Sequence, residues 1–322
     1  MHSFLAKSLD RIVISLACRH SPAVGSRPPR AEEAARLLGE AGFFPDANET
    51  QPQFTFGRDG HFTFPSAVRT ASSQNNLVPG RIFKCRKPAG GKPAVILVHG
   101  WNDETGYRHR FPFLARRLAR SGISAAALEL PYHLQRRPRT RGEVHDFISE
   151  DLLVMIEATR QAVADILALT AWLKANGSRS VAFWGISLGA WLAGLAASRQ
   201  PHFAAGIFST PPVNIREVID QVEFCAPVRR SLNGTGLDLD RLDLRRHVPR
   251  ISRENILIIE AVHDQFTTAT SVEALWQSWQ KPEIWRVPHG HISLLFSIPT
   301  MLAAARWLSS RLVVKPSAGQ SS

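Results

Sequence analysis

The sequence predicts a mostly parallel, mixed β-sheet with helices on both faces and a small cap inserted late in the chain. Three observations predict this α/β architecture. Short apolar runs recur at 94–98, 123–130, 181–184, 204–208, 256–260 and 284–287, and stretches of helical periodicity lie between or after them. Strands that read as continuous apolar runs are buried on both faces, and the intervening helices supply the cover. Ahead of these runs, residues 54–56 and 62–64 alternate around Gly57-Arg-Asp-Gly60, which reads as antiparallel strands joined by a turn. The segment 211–253 separates two strands by more than a crossover requires, and reads as a cap over the carboxyl edge of the sheet.

In chain order, residues 4–16 and 31–41 read as helices joined by a Pro/Arg-rich link at 21–30. They make residues 1–55 an N-terminal helical extension and 56–315 the main domain, with the cap at about 211–253. A strand at 77–84 precedes a loop at Gly90-Gly91. Helices are expected at 111–121, 151–175, 188–199, 272–280 and 299–312. The longest carries Leu152, Met155, Ile156, Val163, Ile166, Leu167 and Trp172 near helical spacing, and Gly177 follows as a stop signal.

Composition narrows the class. Hydrophobic residues are 44% and charged residues 20% of 322, which excludes disordered, collagen-like and coiled-coil chains. The net charge of +12 is spread along the chain, and two Tyr offer little aromatic stacking, so no nucleic-acid partner is expected. Cys18, Cys85 and Cys225 lie far apart with no C-x-x-C pair, which reads as buried free thiols in a reducing cytoplasm. Asp10 and Arg11 interrupt the apolar character of the N-terminus, so it does not read as a signal peptide. The most apolar stretch, 181–197, falls short of the ~20 residues of a spanning helix, and no transmembrane segment is expected. There is no Walker loop and no G-x-G-x-x-G, so no nucleotide cofactor is expected. His133 and His145, taken with Asp146 or Glu129, fit no zinc spacing, so no metal is expected either.

In a parallel sheet, ligands lie beyond the carboxyl ends of the strands. Four positions there carry chemistry. Gly185-Ile-Ser-Leu-Gly189 follows one strand and opens a helix, the strand–turn–helix context of a nucleophile elbow, with Ser187 as nucleophile. His99-Gly100-Trp101 ends an earlier strand. The Trp101 and Leu188 N–H groups are the expected oxyanion donors, and His99 an orienting residue. Asp264 follows the run 256–260 and can hold an imidazole in one tautomer, with Glu260 as its competitor. His291 follows the last strand and is assigned as the base, with His289 as the alternative. The order Ser187, Asp264, His291 is the one this topology imposes. Arg136-Arg137-Pro138-Arg139-Thr140-Arg141 falls at the same edge. There Arg137 and Arg139 are candidates for gripping an anionic substrate.

Together, Gly185-Ile-Ser-Leu-Gly189, His99-Gly100-Trp101, the strand with Asp264, and Gly290-His291 resemble the α/β-hydrolase superfamily over roughly residues 60–312. The likeness is to the esterase and dienelactone-hydrolase-like branches. The latter usually carry a Cys nucleophile, absent here, and Ala261 stands where many members have glycine. The resemblance implies a cofactor-free Ser–His–acid hydrolase acting on a small-molecule carboxylic ester or thioester. A peptidase, amidase or acyltransferase would use the same residues. A non-catalytic basic scaffold is the reading from another class, and the presence of all three of Ser187, Asp264 and His291 weighs against it.

Overall fold

The computed structural model describes residues 3–20, 30–45, 52–85, 91–138, 146–199 and 203–313, the side chains of 17–20 excepted. Two helices come first, α1 (Ser3–His20) and α2 (Ala31–Gly39). Three strands follow, β1 (Thr55–Phe56), β2 (His61–Pro65) and β3 (Leu77–Phe83). The alternating part then runs β4 (Ala94–Val98), α3 (Phe111–Arg120), β5 (Ser124–Leu128), α4 (Leu152–Ala175), β6 (Val181–Ile186), α5 (Leu188–Ala197) and β7 (Phe203–Ser209). After β7 come α6 (Ile215–Gln221) and α7 (Ala226–Leu232). The chain returns to the sheet with β8 (Ile256–Ala261), α8 (Ala269–Ser278) and β9 (Glu283–Val287), and ends in α9 (His291–Leu294) and α10 (Ile298–Leu312).

Among the described residues, nine strands join one sheet, in the order β1-β2-β3-β5-β4-β6-β7-β8-β9. β1, β2 and β3 are antiparallel, β3 runs antiparallel to β5, and every pair from β5 to β9 is parallel. The expected mixed sheet is therefore present. Side chains alternate between its faces, as the period of two requires. Val95 and Leu97 pack under α3 and α10, while Ala94, Ile96 and Val98 pack under α4 and α5. That double burial explains why the parallel strands read as unbroken apolar runs.

Two features of the packing bear on the site. Strand β4 lies beside β6, with Val98 opposite Gly185, so the turns leaving these two strands emerge next to each other. Between β7 and β8, the segment holding α6, α7 and several 3₁₀ turns stands over the carboxyl edge. There Phe224 stacks on Trp101 with ring centroids 4.4 Å apart. Among the described residues, no helix is long and apolar enough to cross a membrane. Cys85 and Cys225 are both buried, while the Cys18 side chain, like Arg141 and His145, lies outside the described residues.

Candidate active site

Ser187 occupies the junction of β6 and α5 with φ 51° and ψ −123°. A non-glycine residue pays strain in that region and holds it only where the surroundings enforce it. The enforcement is close packing. A Cβ at position 189 would lie 2.3 Å from the Val98 carbonyl oxygen, and one at 185 would lie 2.5 Å from Ala190 Cα. Only glycine at both positions lets α5 press against the ends of β4 and β6. The sharp turn that results puts the Ser187 side chain on the floor of a cavity at the carboxyl edge.

His291, at the start of α9, reaches that floor. Its Nε2 is 2.8 Å from Ser187 Oγ, and its Nδ1 is 2.7 Å from Asp264 Oδ2. With Asp264 ionised, Nδ1–H donates to the carboxylate and Nε2 is left to accept the serine proton. Asp264 is fixed in turn, because its Oδ1 accepts the N–H groups of Phe266 at 2.6 Å and Thr267 at 3.0 Å. Burial by itself lowers the His291 pKa. The charge of Asp264, its hydrogen bond, and the fields of Asp10 and Asp103 outweigh burial and hold the imidazole above its ordinary 6.5.

The competitors fall elsewhere. Glu260 pairs with Arg286 on β9 at 2.9 Å. The His289 ring lies 3.5 Å from Ser293 Oγ. His99 is buried and neutral in character: its Nδ1–H donates to the Gly100 carbonyl at 2.8 Å, and its Nε2 accepts the Leu130 N–H at 3.0 Å. Burial lowers its pKa. This is the orienting arrangement the sequence suggests, bracing the turn after β4 against the end of β5.

Trp101 and Leu188 both line the cavity beside Ser187. Leu188 is the first residue of α5, so its N–H has no acceptor one turn earlier in the helix. The Trp101 ring is held by Phe224 and by its Nε1–H, which donates to Asp146 Oδ1 at 2.7 Å. The cavity measures about 450 Å³ and is mostly apolar, with Trp101, Met155, Trp191, Ile219, Phe224 and Phe266 among its walls.

Within the arginine run, Arg136 is completely buried and does not line the cavity. It pairs with Asp165 of α4 at 2.8 Å, and donates to the carbonyls of Glu129 and Asn75. A buried guanidinium needs several acceptors, and the sheet edge and the long helix supply them. Arg137 donates to Asn102 Oδ1 at 2.6 Å and faces Glu104 at 3.7 Å. Asn102 lines the cavity and Arg137 does not. Arg139 lies outside the described residues. Among the described residues, no group of three or more His, Cys, Asp or Glu side chains could hold a metal ion.

One contributor has no counterpart in the sequence reading. Val13 and Leu16 of α1 line the cavity, and Asp10 of the same helix is buried against the loops carrying Asp264 and His291. The available signal is positional. Ala6, Asp10 and Val13 share a helix face at spacings of four and three, so a lone carboxylate interrupts an otherwise apolar stripe.

The family model described as "Alpha/beta hydrolase domain containing 18" matches residues 50–215. The chain is also similar to an uncharacterized protein of Mycobacterium tuberculosis, Rv2627c. It is 26% identical over 264 residues, which cover 76% of this chain and 60% of that protein. The chain thus spans about 60% of the length of this curated relative. Among solved structures, the acetyl xylan esterase from Paenibacillus sp. R4 superposes with a TM-score of 0.62 at 15% identity, covering 91% of this chain and 98% of its own. The Pyrococcus furiosus esterase Pf2001 gives 0.54 at 14% identity, covering 90% and 98%. A cold-adapted esterase from an Arctic intertidal metagenomic library gives 0.53 at 17% identity, covering 81% and 98%. At such identities the superpositions speak to the fold. With more than half of its length matched by the family model and its sheet shared with these structures, the chain belongs to the family of alpha/beta hydrolase domain containing 18, within the α/β-hydrolase superfamily.

Proposed function

We propose that the protein is a cofactor-free serine hydrolase of small-molecule carboxylic esters, with thioesters as close substrates. The observation that carries this reading is the unbroken hydrogen-bonded sequence Ser187–His291–Asp264 on the floor of an apolar cavity. Ser187 Oγ attacks the acyl carbonyl as His291 Nε2 takes its proton. The oxyanion is held by the backbone N–H groups of Trp101 and Leu188. Collapse of the tetrahedral intermediate expels the alcohol, which receives its proton from His291. The same imidazole then removes a proton from water, which attacks the acyl-enzyme and frees the acid and Ser187. Asp264 keeps Nδ1 protonated throughout and stabilises the imidazolium.

The cavity walls favour an apolar acyl group. Each buried methylene of such a group contributes ~0.8 kcal/mol of transfer free energy. In this reading residues 56–315 form the hydrolase domain, 211–253 its cap and 1–55 an N-terminal helical extension. The test is labelling with a fluorophosphonate, mapping of the modified residue, and a panel of p-nitrophenyl esters of increasing chain length. Labelling at Ser187 with turnover of the esters supports the reading. A protein that neither labels nor turns over any ester refutes it.

A further inference from the structure

Helix α1 lies outside the residues matched by the family model, yet it packs on α9 and on the 3₁₀ turn at 223–225. Its Asp10 is completely buried. The carboxylate accepts three backbone N–H groups: His291 at 2.8 Å and Gln265 at 3.2 Å on Oδ2, and Ile292 at 2.9 Å on Oδ1. Gln265 directly follows Asp264, and His291 with Ile292 opens α9. A single side chain thus ties the loop of the acid to the loop of the base. The fit is close, since a Cβ at Gly290 would lie 2.8 Å from both the Ala6 carbonyl oxygen and Asp10 Oδ2.

Packing alone does not call for a carboxylate here. An apolar residue on this helix face would bury well, whereas a buried carboxylate is tolerated only when fully hydrogen-bonded. What the carboxylate supplies, and an apolar side chain cannot, is a directional hold on three amides and a negative charge near the imidazole. We infer, building on the Ser187–His291–Asp264 reading above, that Asp10 is a positioning residue: it holds the acid and base loops in register and adds a second carboxylate beside His291, so that α1 completes the active site. The charged groups facing His291 are Asp264 on the acid loop, Asp10 on α1, and Asp103 on the turn after β4. Asp103 is itself paired with Arg110. His289, two residues away in the same loop, lies against Ser293. The field of Asp10 favours the imidazolium, as those of Asp264 and Asp103 do.

The test uses the full chain carrying Asp10→Asn, which keeps the shape but offers one acceptor oxygen for three N–H groups and removes the charge. Two readouts are taken: the His291 imidazole pKa, from NMR of protein with ¹⁵N-labelled histidine, and kcat and KM for p-nitrophenyl butyrate. The expected result is a His291 pKa lower by about half a unit or more, with kcat down about tenfold and KM within about twofold. A variant with wild-type kcat and His291 pKa, altered only in melting temperature, overturns the inference and leaves α1 a packing helix. Should Asp10→Asn fail to fold, the wild-type protein decides. The amides of Gln265, His291 and Ile292 should titrate together with one carboxyl group, and independent behaviour overturns the inference. Failure of the hydrolase reading is distinguishable, because it appears as absent fluorophosphonate labelling of wild-type Ser187, whereas the NMR readouts need no turnover.

Discussion

Ser187 and His291 meet at 2.8 Å across 104 residues of chain, through a hydroxyl that the strained backbone of Ser187 presents to the imidazole. Ser187→Ala keeps the Cβ that packs at the elbow and removes one hydrogen bond. The variant should therefore melt within a few degrees of the wild type, a loss of about 1 kcal/mol or less. Fluorophosphonate labelling and ester turnover should vanish. Ser209 is the nearby alternative, but its Oγ already accepts the Trp184 Nε1–H at 3.0 Å. Label recovered on Ser209 in the variant would remove Ser187 from its assigned role.

The two candidate acids at the end of β8, Glu260 and Asp264, make opposite predictions. Asp264→Asn turns an acceptor into a partial donor facing Nδ1, which favours the tautomer with the proton on Nε2. Turnover should fall by about 10⁴, the scale seen when the acid of such a triad is replaced by its amide. Glu260→Gln loosens a strand-end pair with Arg286 and should leave kcat within about threefold. Steady-state kinetics on both variants checks this. A mild Asp264→Asn beside a severe Glu260→Gln would exchange their roles.

Much of this site was readable before the fold because each of its members follows a strand. Continuous apolar runs locate the strands, and the parallel topology then gathers the residues after them at one edge. Ser187, Asp264 and His291 are local consequences of β6, β8 and β9. Asp10 has no such local signature. Its partners lie at least 255 residues away, and the donors that make its burial tolerable are backbone N–H groups that sequence does not distinguish. Arg136 misleads for the same reason. It belongs to a run that reads as lying at the ligand-binding edge, and its decisive partner, Asp165, sits on α4 in a stretch recognised only by its apolar spacing.

That buried pair has a stability consequence. Arg136→Gln leaves Asp165 uncompensated in the interior, with the Ser66 hydroxyl at 2.6 Å as its remaining partner. Removing one member of a buried pair costs about 3–5 kcal/mol. Urea unfolding should show a lower midpoint with an unchanged slope. Because Arg136 does not line the cavity, kcat per folded molecule should stay within about threefold. A midpoint shift that corresponds to a loss of less than about 1 kcal/mol would mean that the pair is hydrated or dispensable.

The pH dependence of kcat/KM separates the histidines by sign. Base catalysis needs a neutral imidazole, so activity rises with pH and is half-maximal at the pKa of the base in the free enzyme. Burial lowers His99, His133 and His247, each against smaller opposing influences. Burial also lowers His289. In His291 burial is the largest single influence as well, but the carboxylates of Asp264, Asp10 and Asp103 together reverse it and carry the pKa above 6.5. An acid limb centred above 6.5 therefore identifies His291, and a limb centred below 6.5 points to His289 or another of the lowered histidines. Mutation should agree: His291→Ala should lower kcat by about 10⁴ or more, and His289→Ala should change it little. The direction of the limb is also fixed by chemistry. Protonating His291 leaves Ser187 with no acceptor for its proton, so activity must be lost as pH falls, and a profile that instead rises on acidification would exclude imidazole as the base.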